Sequence, residues 1–325
     1  MDALSHLLHA VELTGAVFLD AEFRDPWCIE VCGGLMRMLM PEAEHFISYH
    51  YIAEGRCRTR VEGGAAAELE AGDVVVYPHG DLHVMGGSLH QAPVLMARLL
   101  KPVKEGEVQF LRVGGDGAVT RIVCGFLACD PRLCRPVLAA LPHVFKVSIR
   151  GGPSGEWLER SIRQSVIEAG SPRAGNEVLL ARLSEVLFVE TLRRYMEGLP
   201  SGHTGWLAGL RDPMVARALS LMHARSAHAW TVEKLAKEVG SSRTVLAERF
   251  THYLGQPPMH YLAKWRLALA ARALRAGNER TARIAAQVGY ESESAFNRAF
   301  KREHGMPPTR WRREARRKPP EARAK

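Results

Sequence analysis

Two short groups of side chains near the C-terminal end of the chain could read the base edges of duplex DNA. Arg can bond both acceptors of guanine, Asn can pair with adenine, and Glu can accept from cytosine. The two groups lie fifty residues apart: Arg243, Thr244, Ala247 and Glu248, then Glu293, Ser294, Asn297 and Arg298. On a helix, each group falls on the face opposite apolar residues that are four positions apart. We therefore expect sequence-specific DNA contacts from these residues.

The fifty-residue interval belongs to a longer internal repeat. The pattern Leu-Ala-x-x-Val-Gly at 235–240 returns as Ile-Ala-x-x-Val-Gly at 284–289. Each copy then has a Ser that can cap the next helix and two apolar positions four residues apart: Leu246, Phe250, Phe296 and Phe300. The Gly in each copy permits a tight turn between crossed helices. The repeat predicts two helix-turn-helix units.

The distribution of charge indicates a polyanionic partner. The chain carries 44 Lys and Arg against 35 Asp and Glu, a net charge of +9. Residues 201–325 alone hold 24 against 10, a net charge of +14. Either copy of the repeat alone could be an ordinary solvent-exposed helix face. Two copies in tandem inside a basic segment instead favour nucleic acid as the binding partner. Four cations that follow the second group suit phosphate contacts, which hold register without reading sequence: Lys301, Arg302, Arg310 and Arg312.

A family resemblance rests on the second copy and on the helix before it. The second copy matches at Ile284-Ala285, Val288-Gly289-Tyr290, Ser292, Phe296, Phe300-Lys301, Gly305 and Pro307-Pro308. The linking helix matches at Tyr261-Leu262, Trp265-Arg266, Ala270 and Ala273-Leu274. The stretch from Trp230 to Trp311 thereby resembles the DNA-binding domain of the AraC/XylS family of bacterial transcription regulators.

The resemblance implies two helix-turn-helix units joined by one long helix. It also implies binding to operator or promoter DNA and contact with RNA polymerase. Its base-contacting positions fall first on Thr244, Glu248, Asn297 and Arg298. We expect the two recognition helices to enter successive major-groove segments ~10 base pairs, or ~34 Å, apart.

The front of the chain has the pattern of many short strands. Apolar runs are separated by Gly, Pro and Asp: Ala16–Leu19, Ile29–Cys32, Phe46–Ile52, Val74–Tyr77, Val94–Leu99 and Ile122–Leu127. This pattern predicts a sandwich or small barrel. Gly72, Pro78, Gly80 and His83 have the spacing of the second cupin motif, so the front half resembles the cupin sensor domains common in this family.

The first cupin motif is incomplete. Ser48 stands at the expected Glu position, with His45 and His50 nearby. His50 shares the strand parity of Ser48 and would face the interior beside His83. Two His without a carboxylate are weak metal candidates, so we expect neither a metal nor another cofactor. The alternative function is a cupin-type metal-dependent enzyme with a DNA-binding appendage, but an enzyme is not expected because its metal ligands are missing.

All six Cys lie in residues 1–134. They are either small buried apolar residues or include an exposed, low-pKa thiolate that an oxidant could modify. The chain from Met1-Asp2-Ala3-Leu4 through Ile122-Val123-Cys124-Gly125 also resembles a family branch that responds to reactive chlorine or other electrophiles, and this likeness implicates Cys124 most. The sensor candidates are His50, His83, Cys124 and Cys129.

The expected fold is multidomain. A mainly-β cupin-like barrel at 1–150 precedes a helical linker at 151–205, an all-α domain with two helix-turn-helix motifs at 206–313 and a basic disordered tail at 314–325. Leucines at 180, 183, 187 and 192 make the linker helix either a packing partner of the barrel or a homodimer contact. A fragment that begins near Gly205 is expected to fold and bind DNA.

Composition excludes several classes of protein. The mean hydropathy is −0.13, and no apolar run approaches the ~20 residues that span a bilayer. Six Cys without a C-x-x-C pair argue against a disulfide scaffold. We therefore expect a cytoplasmic, sequence-specific transcription regulator that does not bind membranes and that responds to a small molecule or an oxidant.

Overall fold

The chain folds into two compact units. The structure, a computed structural model, describes residues 1–11, 13–31, 43–101, 108–169 and 175–315. We name the two units after the roles expected from the sequence: the sensor unit comprises Glu12–Pro131 and Val137–Pro200, and the DNA-binding unit comprises Met1–Val11, Arg132–Pro136 and Ser201–Lys325. Cys32 and the predicted tail from residue 316 onward lie outside the described residues.

The described part of the sensor unit is built on two sheets. Their strands are β1 Thr14–Arg24, β2 Cys28–Val31, β3 His45–Glu54, β4 Arg56–Val61, β5 Ala67–Glu70, β6 Asp73–Tyr77, β7 His83–Gly86, β8 Val94–Leu95, β9 Gln109–Gly114, β10 Val119–Cys129 and β11 Phe145–Ser148. One sheet has six strands in the order β11-β6-β3-β10-β1-β9, and the other has five in the order β5-β4-β7-β2-β8. The prediction of a mainly-β, cupin-like front domain is confirmed.

Alternating burial places one apolar core inside the sensor unit. Successive residues of β4 are exposed and buried in turn, as expected for a half-buried strand. The core includes Leu19, Ile52, Tyr77, Met85 and Ile122. Gly55 joins β3 to β4 at a φ of 76°, and a Cβ there would lie 2.1 Å from the carbonyl oxygen of Val119. Only glycine fits this turn.

One predicted strand is wrong in its second half. The run Val94–Leu99 was expected to be extended, but β8 ends at Leu95 and helix α2 follows at Met96–Leu99. The reason is local, because Met, Ala, Arg and Leu are good helix formers, whereas the β-branched Val94 favours a strand.

Three further helices follow in the chain: α3 Pro131–Leu138, α4 Pro153–Ala169 and α5 Asn176–Glu197. The four leucines predicted as a stripe on α5 are all buried, and α5 packs on β1 and α4. Gly15 permits this approach, since a Cβ there would lie 2.7 Å from the carbonyl oxygen of Ala181. The leucine stripe is therefore a packing face of the sensor unit.

The DNA-binding unit is helical. Its helices are α1 Ala3–Val11, α6 Trp206–Gly209, α7 Pro213–Ala224, α8 Val232–Glu238, α9 Arg243–Leu254, α10 Pro258–Ala276, α11 Thr281–Gln287, α12 Glu293–His304 and α13 Pro308–Ala315. The pairs α8–α9 and α11–α12 are the two predicted helix-turn-helix units, and α10 links them. No helix among the described residues has the length and apolarity needed to cross a bilayer.

Sequence analysis did not predict that the N-terminal helix belongs to this unit. Helix α1 packs on α7 and buries Ala3, Leu4, Leu7 and Val11. The guanidinium of Arg272, on α10, donates a hydrogen bond to a carbonyl oxygen near the end of α1. The residues after Gly205 therefore do not form the whole core of this unit, because α1 also contributes to it.

Candidate nucleic-acid interface

Helices α9 and α12 are structural copies of one another at an offset of fifty residues. Each begins at a Ser whose hydroxyl accepts a backbone N–H, at 3.3 Å for Ser242 and 3.1 Å for Ser292. Each ends at a left-handed glycine, with φ of 66° at Gly255 and 76° at Gly305. The same capping signals in both copies give two helices of equal length.

The apolar pairs predicted to face inward do so. Leu246, Phe250, Phe296 and Phe300 are each 0% exposed. The turns that precede these helices contain Gly240 at a φ of 70° and Gly289 at 84°. A buried pair four residues apart fixes the rotation of each helix about its axis, so the opposite face points to solvent.

All eight residues predicted to contact bases are accessible on these helices. Six are exposed: Arg243, Thr244, Glu248, Glu293, Ser294 and Arg298. Ala247 and Asn297 are partly exposed. The side chain of Arg298 makes no ion pair or hydrogen bond with any described residue. Arg243 instead pairs with Glu233 at 2.9 Å, and both side chains are more than half exposed.

The four predicted phosphate contacts differ in their availability. Lys301 and Arg302 are exposed, and their side chains have no ion-pair or hydrogen-bond partner in the described part of the chain. Arg310 pairs with Glu314 at 2.7 Å. Arg312 is only partly exposed, and its guanidinium donates to the carbonyl oxygen of Glu279. Arg312 therefore has a structural contact that its position in the sequence did not reveal.

Three outward-facing residues of α9 were missed in the sequence. Val245, Thr251 and His252 are exposed, and Val245 keeps 45% of its surface accessible. The fifty-residue offset pairs Thr251 with Lys301 and His252 with Arg302. The repeat contained this signal, because it assigns every position of α12 a counterpart in α9.

The structure brings His50 and His83 together, as strand parity predicted. Their Nε2 atoms are 2.9 Å apart, and the residues are 2% and 1% exposed. The Nδ1–H of His83 donates to the carbonyl oxygen of Asp81 at 2.9 Å, so its Nε2 accepts from His50. This tautomer leaves Nδ1 of His50 buried and without a partner among the described residues.

Burial sets the protonation of both imidazoles. It lowers the pKa of His83 to about 4. Burial, followed by the adjacent His83, holds the pKa of His50 well below its usual value. Tyr77 stacks on His83 at 3.5 Å and shares a 2.5 Å hydrogen bond with Thr59. Both imidazoles are therefore neutral members of a packed, hydrogen-bonded core.

These residues do not fit the metal site of a complete cupin. The two Nε2 atoms bond to each other, and the described chain contains no group of three or more His, Cys, Asp or Glu that could hold a metal ion. Two imidazoles alone leave a divalent cation short of protein ligands.

The candidate thiols are buried. Cys124 is 2% exposed and Cys129 is 7% exposed. Burial raises the pKa of Cys124 well above its usual range and that of Cys57 to about 12. Since the thiolate is the reactive form, neither environment provides the exposed, low-pKa thiolate that redox sensing requires.

An apolar gap lies on the outer side of the six-stranded sheet, beneath α4 and α5. Its cavity volume is about 10 Å³, room for about one water molecule, and its lining residues are Val17, Tyr49, Tyr51, Val123, Ile162, Leu180, Leu183, Ser184 and Leu187. The hydroxyls of Tyr49 and Ser184 are 2.7 Å apart, and Ser184 donates to the carbonyl oxygen of Leu180. The lining is otherwise mainly apolar.

Comparison with known families agrees with both halves of the fold. A cupin family model matches residues 2–197, and a helix-turn-helix domain model matches residues 235–314. The fold and the site thus define a DNA-binding protein with an N-terminal cupin domain.

Relatives extend over most of the chain. An AraC-like transcription regulator of Streptomyces lividans is 32% identical over 83% of this chain and 88% of its own length. The RCS-specific HTH-type transcriptional activator RclR of Escherichia coli is 26% identical over 96% of this chain and 97% of its own. A solved AraC-type DNA-binding domain structure from Chromobacterium violaceum is 27% identical, covering 34% of this chain and 99% of that chain, with a TM-score of 0.32. The chain belongs to the AraC-like family of transcription regulators.

Proposed function

We propose that this regulator recognises specific operator or promoter duplexes by inserting α9 and α12 into successive major-groove segments. The observation that carries the proposal is the matched pair of helices. Each is capped by Ser and rotated by two fully buried residues, so that it exposes hydrogen-bonding side chains. Glu248 and Arg298 occupy equivalent positions and can discriminate cytosine and guanine respectively.

The test compares specific and non-specific binding of one variant. A duplex selected from a random library and a scrambled duplex of equal length are titrated by fluorescence anisotropy. Arg298→Ala should cost ~1 to 3 kcal/mol on the selected duplex and relax the preference at one base pair. Lys301→Ala, one turn further along α12, is the matched control and should weaken both duplexes alike. Equal loss on both duplexes for Arg298→Ala would exclude its base-reading role.

We also propose that the cupin unit senses a small molecule or an oxidant and thereby changes operator affinity or promoter output several-fold, a coupling of ~1 to 3 kcal/mol. The apolar lining of the gap beneath α5 supports a small apolar ligand, which would have to widen the gap on binding. The name of the Escherichia coli relative favours an oxidant, but the burial of Cys124 disfavours direct attack on that thiol. A thermal-shift screen of small apolar compounds tests the apolar ligand against the oxidant. The screen compares the parent with Leu183→Ala, a variant in which the gap is larger.

A homodimer and a contact with RNA polymerase complete the proposal. The outer face of α5 supports a dimer, since Val178, Leu179 and Val186 are 62%, 46% and 42% exposed. The contact with RNA polymerase rests on the family alone.

A further inference from the structure

We propose that the two helix-turn-helix units contribute unequally to DNA binding. The second helix-turn-helix unit supplies most of the salt-dependent affinity that comes from phosphate contacts. The first helix-turn-helix unit discriminates between base sequences and adds little affinity for non-cognate DNA. This inference rests on the proposed use of α9 and α12 as recognition helices. It concerns the division of work between them, which the family relationship does not specify.

The repeat allows a direct comparison of equivalent surface positions. Six positions differ in charge between the two helices, and at three of them, where all residues are exposed, the second helix is the more positive. The first helix has Glu248, Thr251 and His252, whereas the second has Arg298, Lys301 and Arg302. With His neutral, these three positions carry −1 in the first helix and +3 in the second. Because Arg243, Arg249 and Tyr253 are replaced by Glu293, Ala299 and Glu303, the net charge of each whole helix is nevertheless +1. The two helices therefore differ in which of their cations are already paired. The Ser caps, the buried pairs and the terminal glycines of α9 and α12 are matched, whereas the turn before α12 has one residue more than the turn before α9.

The cations of α12 are available to DNA, Lys301 and Arg302 to phosphate oxygens and Arg298 to a base. The side chains of Arg298, Lys301 and Arg302 make no ion pair or hydrogen bond within the described chain. The neighbouring Glu303 pairs instead with Arg135 at 3.4 Å. Within the described residues, no ion pair or hydrogen bond therefore has to break before these three groups meet DNA.

Both arginines of α9 are already paired. Arg249 binds Asp212 at 2.5 Å, and the Asp212 side chain is 1% exposed. The carboxylate of Asp212 also caps α7 by accepting two backbone N–H groups at 3.0 Å. Moving Arg249 to a phosphate would leave that carboxylate buried and unpaired, which is costly. The exposed Arg243–Glu233 pair can open at little cost, so α9 offers at most one cation.

The face of the first unit suits bases better than the backbone. The carboxylate of Glu248 is repelled by phosphates but accepts from the amino group of cytosine. Val245, 45% exposed beside it, can pack against the methyl group of thymine. Binding by α9 is therefore favourable where the bases match and weak elsewhere. The cognate duplex should consist of two unequal half-sites, with the second unit as the anchor.

The experiment measures the salt dependence of the full chain on a random-sequence duplex. Removing one cation that binds a phosphate lowers the slope of log Kobs against log salt by ~0.9. The double variant Lys301→Gln/Arg302→Gln should lower this slope by ~1.8. Arg243→Gln should lower it by no more than ~0.9. The position-matched variant Thr251→Lys/His252→Arg, which adds two cations, should raise it by ~1.8. These positions are exposed, and thermal melting checks that each variant remains folded.

A second arm tests the selectivity assigned to the first unit. Glu248→Gln should bind the random duplex several-fold more tightly, and library selection should show a weaker preference for cytosine at one position. An unchanged salt slope in Lys301→Gln/Arg302→Gln, or equal decreases of the slope in that variant and Arg243→Gln, would overturn the unequal division. Failure of the parent to bind any duplex would refute the proposed function itself, whereas binding with equal contributions would refute this inference alone.

Discussion

Replacing Leu7 by Ala should loosen the DNA-binding unit, although residue 7 lies at the opposite end of the chain from the recognition helices. Leu7 is 0% exposed in the short helix α1, which packs on α7. Truncating a fully buried leucine costs about 2 to 5 kcal/mol, depending on how far the cavity collapses. A helix of nine residues is not stable alone. The loss should therefore detach α1 as a whole.

Hydrogen exchange of the full-length protein, followed by mass spectrometry, measures this effect. A loss of about 2 kcal/mol corresponds to an exchange rate about 30-fold faster in peptides covering Pro213–Ala224, provided that α1 protects that helix. Leu8→Ala is the matched control, because Leu8 is the next residue on the same helix and is partly exposed. Equal exchange in Leu7→Ala and Leu8→Ala would refute the assignment of α1 to this unit.

The same reasoning revises the expectation for a fragment that begins near Gly205. Such a fragment keeps both helix-turn-helix units and α10, but it exposes the surface of α7 that α1 covers. We expect it to be less stable than the same residues in the full chain, by an amount similar to that of Leu7→Ala.

Two further predictions concern the sensor unit. Lowering the pH should destabilise it, because burial lowers the pKa of His83 to about 4 from 6.5, so the unfolded chain binds the proton first. The stabilisation from the neutral imidazole is present above pH 6.5 and is lost progressively below it. In urea unfolding, His83 should contribute about 2 kcal/mol to the loss of stability between pH 7.5 and 5, and His50 adds to that loss. The loss should be smaller in His83→Leu and unchanged in the exposed control His90→Gln. N-ethylmaleimide should modify Cys124 in urea but not in the native protein, because the thiol is buried; rapid native modification, located by peptide mass spectrometry, would restore the thiol as a sensor candidate.

Features encoded by short-range patterns could be predicted from the sequence. Apolar residues four apart, a Ser before them and a Gly after them define a helix, its ends and its buried face within a dozen residues. The two recognition helices and their outward residues follow from such patterns. Strand parity works in the same way, and it placed His50 on the same side as His83. Val94–Leu99 was mispredicted because an apolar run of six residues has no decisive period.

Which segment packs against a given helix or strand face, or pairs with a given charged group, follows only from the tertiary structure. The stripe of Ala3, Leu4, Leu7 and Val11 indicates that α1 is covered, but only the packed fold identifies α7 as its neighbour. Likewise, three arginines of the basic segment look equivalent in the sequence, yet Arg249 and Arg312 are engaged while Arg298 is not. The pKa of Cys124 depends on how deeply the sheets enclose it. Periodicity is a local property of the chain, whereas burial and ion pairing depend on segments that are distant in sequence and adjacent only after folding.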